Sequence, residues 1–348
     1  MVCCVETHIL PGQEDFYADA STIESGAGRI IEAKAAGRRQ SPTRGGRTAP
    51  ARGGGEPDEV APQDAPRGAD WLTWKRIKVG TGPAMYGEAG EGSPVLFLHG
   101  WGLDHKVYKR ALSRLVAAGV RVLAPALPGF GGTMPLRRGA TNFEGYADWV
   151  SEFLITVGVD RPVLVVGHSF GGGVAIKLAH DHADQVHALV LVNSVGGSAW
   201  TQRGSVMRSM AQRPLWDWGI HLPADLLPLR QGRRVLPVII AEGLPNLLRD
   251  PRTFWMAAGL ARKADLTDEL HDLRVRRLPV VVLWGESDQL ITRRSFEGMC
   301  ATLGDPHVVT VPGTHSWLIA DPDAFGEVMT NVFDIVGLAE GQGGGEPG

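Results

Sequence analysis

A serine hydroxyl attacks a carbonyl only when it is presented clear of its surroundings and a base can take its proton. Gly167-His168-Ser169-Phe170-Gly171 has the residue types for such a presentation. An apolar run, Val163-Leu164-Val165-Val166, enters it, and Val174-Ala175-Ile176-Lys177-Leu178-Ala179 leaves it with helical character. A turn this sharp between strand and helix is a nucleophile elbow, which forces Ser169 toward a strained backbone and lifts its hydroxyl above a sheet. Gly167 and Gly171 keep side chains out of the crossing.

The elements around this stretch suit that task. The 348 residues are 43% hydrophobic, enough for a sizeable core. A formal net charge of −3 gives no electrostatic case for nucleic acid or a membrane surface. Cys3, Cys4 and Cys300 make neither a disulfide framework nor a metal-ligand spacing, so a reducing, cytoplasmic setting is expected. Glu6 and Glu14 interrupt any apolar signal region, and no apolar run approaches membrane-spanning length.

Residues 1–68 form a Gly-, Pro- and Arg-rich extension expected to be disordered, and so does the tail 339–348. Between them, Trp71 to Val79 and Ala84 to Glu88 read as a hairpin. Further strands follow at Pro94–Leu98, Val120–Ala124, Val163–His168, Ala188–Asn193, Pro279–Gly285 and His307–Val311. Most are apolar throughout and alternate with helices, such as 142–157 and one from about Pro322, whose apolar faces recur at helical spacing. The expected fold is α/β, a mostly parallel doubly wound sheet of about eight strands covered on both faces.

Residues 197–268 break the rhythm after the sixth strand. Val206 to Met210, Arg234 to Leu248 and Thr253 to Ala261 have helical patterns among six prolines, as expected of a helical cap over the carboxyl ends of the strands. The flanking stretches 69–196 and 269–338 would be the two parts of one core.

Four motifs in chain order resemble those of the α/β-hydrolase fold superfamily. They are His99-Gly100-Trp101-Gly102, the elbow, Trp284-Gly285-Glu286-Ser287-Asp288 and Gly313-Thr314-His315. The resemblance implies Ser169 as nucleophile, His315 as its base and Asp288 as the carboxylate that orients the imidazole. It assigns the oxyanion hole to the backbone N–H groups of Trp101 and Phe170, with Gly100 shaping the oxyanion loop. Glu286 competes with Asp288 by type, but the family pattern favours Asp288. The position where some relatives carry the acid instead reads Asn193-Ser194. His99 and His168 look like loop-shaping members of their motifs. His180, His182 and His187 lie close together, but their place at the end of the elbow helix suits imidazoles against a helix dipole better than a metal. An aspartate and a serine found in many relatives are Ala126 and Thr133 here, leaving open how that turn is braced.

The implied chemistry is hydrolysis of a small-molecule ester through an acyl-enzyme, with no metal or organic cofactor. Trp200, Trp216, Trp218 and Trp255 in the cap region suggest an apolar acyl or aryl group. The same triad serves carbon–carbon bond hydrolases of aromatic ring cleavage and cofactor-free perhydrolases. Readings of another class are a non-catalytic ligand receptor of the same fold and an interaction protein dominated by its N-terminal tail. Composition and spacing leave the oligomeric state open.

Overall fold

The computed structural model describes residues 30–32, 72–197, 241, 243–304 and 306–338. Its strands, in chain order, are β1 (Ile30–Glu32), β2 (Thr73–Val79), β3 (Gly82–Ala89), β4 (Pro94–Leu98), β5 (Arg121–Pro125), β6 (Val163–His168), β7 (Val186–Val192), β8 (Val280–Gly285) and β9 (His307–Val311). They make one sheet in the order β1-β9-β8-β7-β6-β4-β5-β3-β2. Only the β2–β3 and β3–β5 pairings are antiparallel.

Strand pleating explains why the central strands carry no polar alternation. On β4, Leu96 and Leu98 enter one core while Val95 and Phe97 enter the other. Likewise Val163 and Val165 of β6 face opposite Leu164 and Val166. The first core lies under α2 (Phe143–Thr156) and α3 (Phe170–Asp181), the second under α1 (Lys109–Ala117) and α8 (Pro322–Ile335). Between these come α4 (Pro251–Lys263), α5 (Thr267–Val275), α6 (Arg293–Leu303) and α7 (Trp317–Ala320). Asp250-Pro251 and Asp321-Pro322 start α4 and α8. In each, the aspartate accepts a backbone N–H three residues on, and the proline occupies a first-turn position that needs no donor.

All eight strands expected from the sequence are present. A ninth, β1, pairs parallel with β9 through Ile30↔Val308, Ile31↔Val309 and Glu32↔Thr310. It falls inside the extension expected to be disordered, and it covers the β9 edge that would otherwise present unpaired backbone groups. Within the stretch read as a cap, 198–240 and 242 lie outside the described residues, and so do the pattern at Val206 to Met210 and three of the four tryptophans. The remainder is helical at 243–249 and in α4. Helix α5 begins one residue before the expected cap boundary at 268 and packs against α3 and α6 of the core.

The chain leaves β4 for β5 on one side and then returns to β6 on the other. Such a switch opens a crevice at the carboxyl ends of the strands. His99–Gly102 leaves β4 there, Ser169 leaves β6, Asp288 follows β8 and His315 follows β9.

Candidate active site

Ser169 has φ 53° and ψ −116°, a conformation that costs a non-glycine residue on the order of 1–3 kcal/mol. Its surroundings enforce that conformation. The Ser169 N–H donates to the Val192 carbonyl at 3.0 Å, and its own carbonyl accepts from Gly172 at 3.0 Å and Val195 at 3.2 Å. A β-carbon on Gly167 would lie 2.6 Å from the Gly171 carbonyl oxygen, and one on Gly171 would lie 2.3 Å from that of Leu98. Both contacts are shorter than packing allows, so glycine is required for strand and helix to cross so closely. Although Ser169 is the N-cap of α3, its hydroxyl makes no capping hydrogen bond. Phe170 is the first residue of that helix, where the N–H has no intrahelical acceptor and points out with the dipole.

The Asp288 side chain is completely buried and accepts hydrogen bonds at both oxygens. Oδ1 accepts from the N–H groups of Leu290 at 2.8 Å and Ile291 at 2.9 Å. Oδ2 faces Nδ1 of His315 at 2.9 Å and accepts from Nδ2 of Asn193. Asn193 is itself locked, since its Oδ1 accepts from Trp317 Nε1 at 2.9 Å and the Gly285 N–H at 3.3 Å. Glu286, the rival acid, is exposed. Sequence reasoning noted Asn193 only as the absence of a carboxylate and missed its hydrogen bond to Asp288. An asparagine ending an apolar strand, here with φ 45°, was the available signal.

The His315 ring centroid lies 5.0 Å from that of His168, the residue preceding Ser169. Nε2 of His168 donates to the His315 carbonyl at 3.0 Å, so its Nδ1 accepts a hydrogen bond from the Tyr108 hydroxyl at 2.8 Å. The Tyr108 oxygen accepts in turn from the Gly100 N–H at 3.0 Å. Burial, with the neighbouring His315, pushes the His168 pKa down to about 3, and burial, with the Asp104 charge, raises that of Tyr108. Both groups are therefore neutral across the physiological range.

His99 braces the turn left open above. Its Nε2 accepts from the Leu127 N–H at 2.8 Å, while Thr133 Oγ1 accepts from Met85 N–H at 3.0 Å. Trp101 reaches outward instead. Its indole N–H donates to the Phe254 carbonyl of α4 at 2.7 Å, with the two rings 4.6 Å apart.

The residues singled out for the site thus all lie at the carboxyl ends of β4, β6, β8 and β9 or in the turns that follow them. The clustered histidines separate by partner: His180 meets Asp181 and Asp272, His182 meets Asp148, and His187 Nε2 meets the Val336 carbonyl. Among the described residues no helix is long and apolar enough to cross a membrane.

Residues 95–328 match the model of the alpha/beta hydrolase family. A pimeloyl-[acyl-carrier protein] methyl ester esterase of Aromatoleum aromaticum is 32% identical over 232 residues, which span 61% of this chain and 86% of the relative. Among solved structures, an esterase from Thermogutta terrifontis superposes with a TM-score of 0.61 at 22% identity, over 76% of this chain and 99% of that one. A bromoperoxidase from Bacillus anthracis gives 0.62 at 17%, over 76% and 99%. At these identities the superpositions speak for the fold.

Proposed function

The chain belongs to the alpha/beta hydrolase family, and we propose that it is a serine hydrolase that cleaves carboxylic esters with an apolar acyl or aryl group. The observation that carries this reading is the buried His315–Asp288 pair, 2.9 Å apart, with the His315 ring 5.0 Å from that of His168, whose chain neighbour is a serine held at φ 53°.

In this reading Ser169 Oγ attacks the ester carbonyl carbon as Nε2 of His315 takes the hydroxyl proton. Asp288 keeps the His315 proton on Nδ1 and stabilises the imidazolium. The carbonyl oxygen becomes an oxyanion between the N–H groups of Trp101 and Phe170. Collapse expels the alcohol, which leaves with the proton from Nε2. A water then repeats the attack on the acyl-enzyme, giving its proton to His315 and releasing the acid. The esterase among the relatives supports an ester substrate, and the aromatic side chains of Trp101, Phe254 and Trp255 beside the oxyanion loop support an apolar acyl or aryl group.

A fluorophosphonate probe should label the protein, and short p-nitrophenyl esters should be turned over. Ser169→Ala is expected to abolish both, and labelling or turnover that persists in this variant would exclude Ser169 as the nucleophile.

A further inference from the structure

Gly100 is held from two sides. Its N–H donates to Tyr108 Oη at 3.0 Å, and its carbonyl accepts from Nδ1 of His99 at 2.9 Å. That carbonyl shares a peptide group with the Trp101 N–H. A trans peptide is planar with its C=O and N–H pointing opposite ways, so whatever fixes the carbonyl also fixes where the N–H aims.

The direction of the His99 bond follows from its other nitrogen. Nε2 faces the Leu127 N–H at 2.8 Å, a group that can only donate, so Nε2 accepts and the proton sits on Nδ1. Burial lowers the His99 pKa to about 4, and the ring therefore keeps this neutral form at working pH. A proton on Nε2 would place two donors face to face. His168 is set in the opposite tautomer and extends the brace, from Gly100 through Tyr108 to the His315 carbonyl.

We propose that His99 is a positioning residue for the oxyanion hole: its Nδ1–H, by holding the Gly100 carbonyl, aims and polarises the Trp101 N–H toward the developing oxyanion. Tyr108 and His168 steady the opposite side of Gly100. Hydrogen bonds in series strengthen one another, so the same contact that orients the peptide makes its N–H a better donor. The inference rests on the serine-hydrolase reading above.

Two substitutions separate positioning from packing. In His99→Asn the amide nitrogen occupies the place of Nδ1 and keeps a donor for the Gly100 carbonyl, while Leu127 loses its acceptor. In His99→Gln the longer side chain reaches the place of Nε2, keeping that acceptor and giving up the donor. Both are expected to lower the melting temperature. Only His99→Gln should lose kcat on p-nitrophenyl butyrate by about tenfold or more, with KM changed by less than about threefold, because a misplaced donor acts on the transition state. His99→Asn should recover most of that loss, and affinity for a boronic acid analogue should track kcat/KM across the series.

Equal losses in the two variants, or wild-type kcat in His99→Gln, would overturn the proposal. Should neither variant fold, nitrogen-15 NMR of the unaltered protein decides it. The His99 ring is expected to be neutral and protonated on Nδ1 down to about pH 5, and a proton on Nε2 would refute it. Turnover that survives Ser169→Ala removes the underlying reading, whereas turnover that needs Ser169 but not the His99 donor removes this inference alone.

Discussion

The turns at the carboxyl ends of β4, β6, β8 and β9 meet the helical segment 243–263 at Trp101, and different contacts hold the two sides of that meeting. In the turns, Asp288, Asn193, His168, Tyr108 and His99 are buried, and each spends its polar atoms on a named partner. Segment 243–263 is held chiefly by rings and methyl groups, with Phe254 against Trp101 and Thr253 Cγ2 packed on Gly129. Asn246 adds a polar tie at Gly131 and Gly102. Leu244, Leu248 and Trp255 remain exposed at 49%, 73% and 43%. Hydrogen bonds fix direction and tolerate little displacement, whereas apolar contacts tolerate repacking. Under the proposed function, the bond-making geometry and the choice of acyl group would therefore rest on separable sets of residues.

The largest effect should come from a substitution that changes almost no volume. Asp288→Asn leaves a fork of the same shape, but its NH2 must face donors on either side, Leu290 and Ile291 or Asn193 and His315. With the NH2 on the Asn193 side His315 loses the acceptor that sets its tautomer, and with it on the other side His315 keeps only a neutral acceptor while two backbone N–H groups go unpaired. We expect kcat on p-nitrophenyl butyrate to fall by about 10³- to 10⁴-fold. The unmatched bonds should also cost about 1–3 kcal/mol of stability, measured by urea unfolding. A variant within tenfold of wild type would show that the frame does not depend on the direction of these bonds.

Acid should loosen the same side. Burial pushes the pKa of His99 to about 4 and those of His105 and His168 to about 3, below the ordinary value near 6.5. The unfolded chain thus binds protons that the folded chain refuses. Stability is complete above about pH 6.5 and falls as the pH drops toward the folded-state values. Each imidazole contributes about 1.4 kcal/mol per pH unit, so the three together approach about 4 kcal/mol per unit. Both ring nitrogens of His105 lack a partner, which makes that ring the one with no compensating bond. Urea midpoints from pH 7.5 to 5 should decline, and His105→Phe, which keeps the edge contact with Trp74, should flatten the decline. A flat wild-type profile would mean that these rings admit protons and that the frame is wetter than its burial indicates. Segment 243–263 contains no histidine and contributes nothing to this slope.

What could be read from the sequence divides along the same line. Strands that run apolar from end to end announce themselves, and a Ser, Asp and His in the right order at their ends need no coordinates to be noticed. Asn193 could not be read this way, because its meaning lies in a partner 95 positions away that only the β7–β8 pairing brings alongside. Tyr108 and His168 are 60 positions apart and pose the same difficulty. Strand β1 has three residues, too few to show a period, and its partner is the distant β9. In the segment read as a cap, Pro251–Lys263 was recognisable by its spacing. The pattern at Val206 to Met210 and most of that at Arg234 to Leu248 lie outside the described residues.

The smallest effect tests the apolar side directly. The Trp255 ring lies 5.4 Å from that of Phe254 and 6.3 Å from that of Trp101, yet the residue is 43% exposed, so it holds up little of the core. Trp255→Ala leaves intact the bond from the Trp101 indole to the Phe254 carbonyl, because that acceptor belongs to the backbone. Stability should therefore change by less than about 1 kcal/mol. An aromatic contact is worth about 0.5–1.5 kcal/mol, so kcat/KM for octanoyl or aryl esters should fall roughly two- to tenfold relative to acetyl esters. The kcat on the acetyl ester should hold, since the oxyanion donors do not pass through this ring. If Trp255→Ala instead lowered kcat equally across all esters, as Asp288→Asn is expected to do, the ring would belong with the catalytic frame and the division between the two sides would fail.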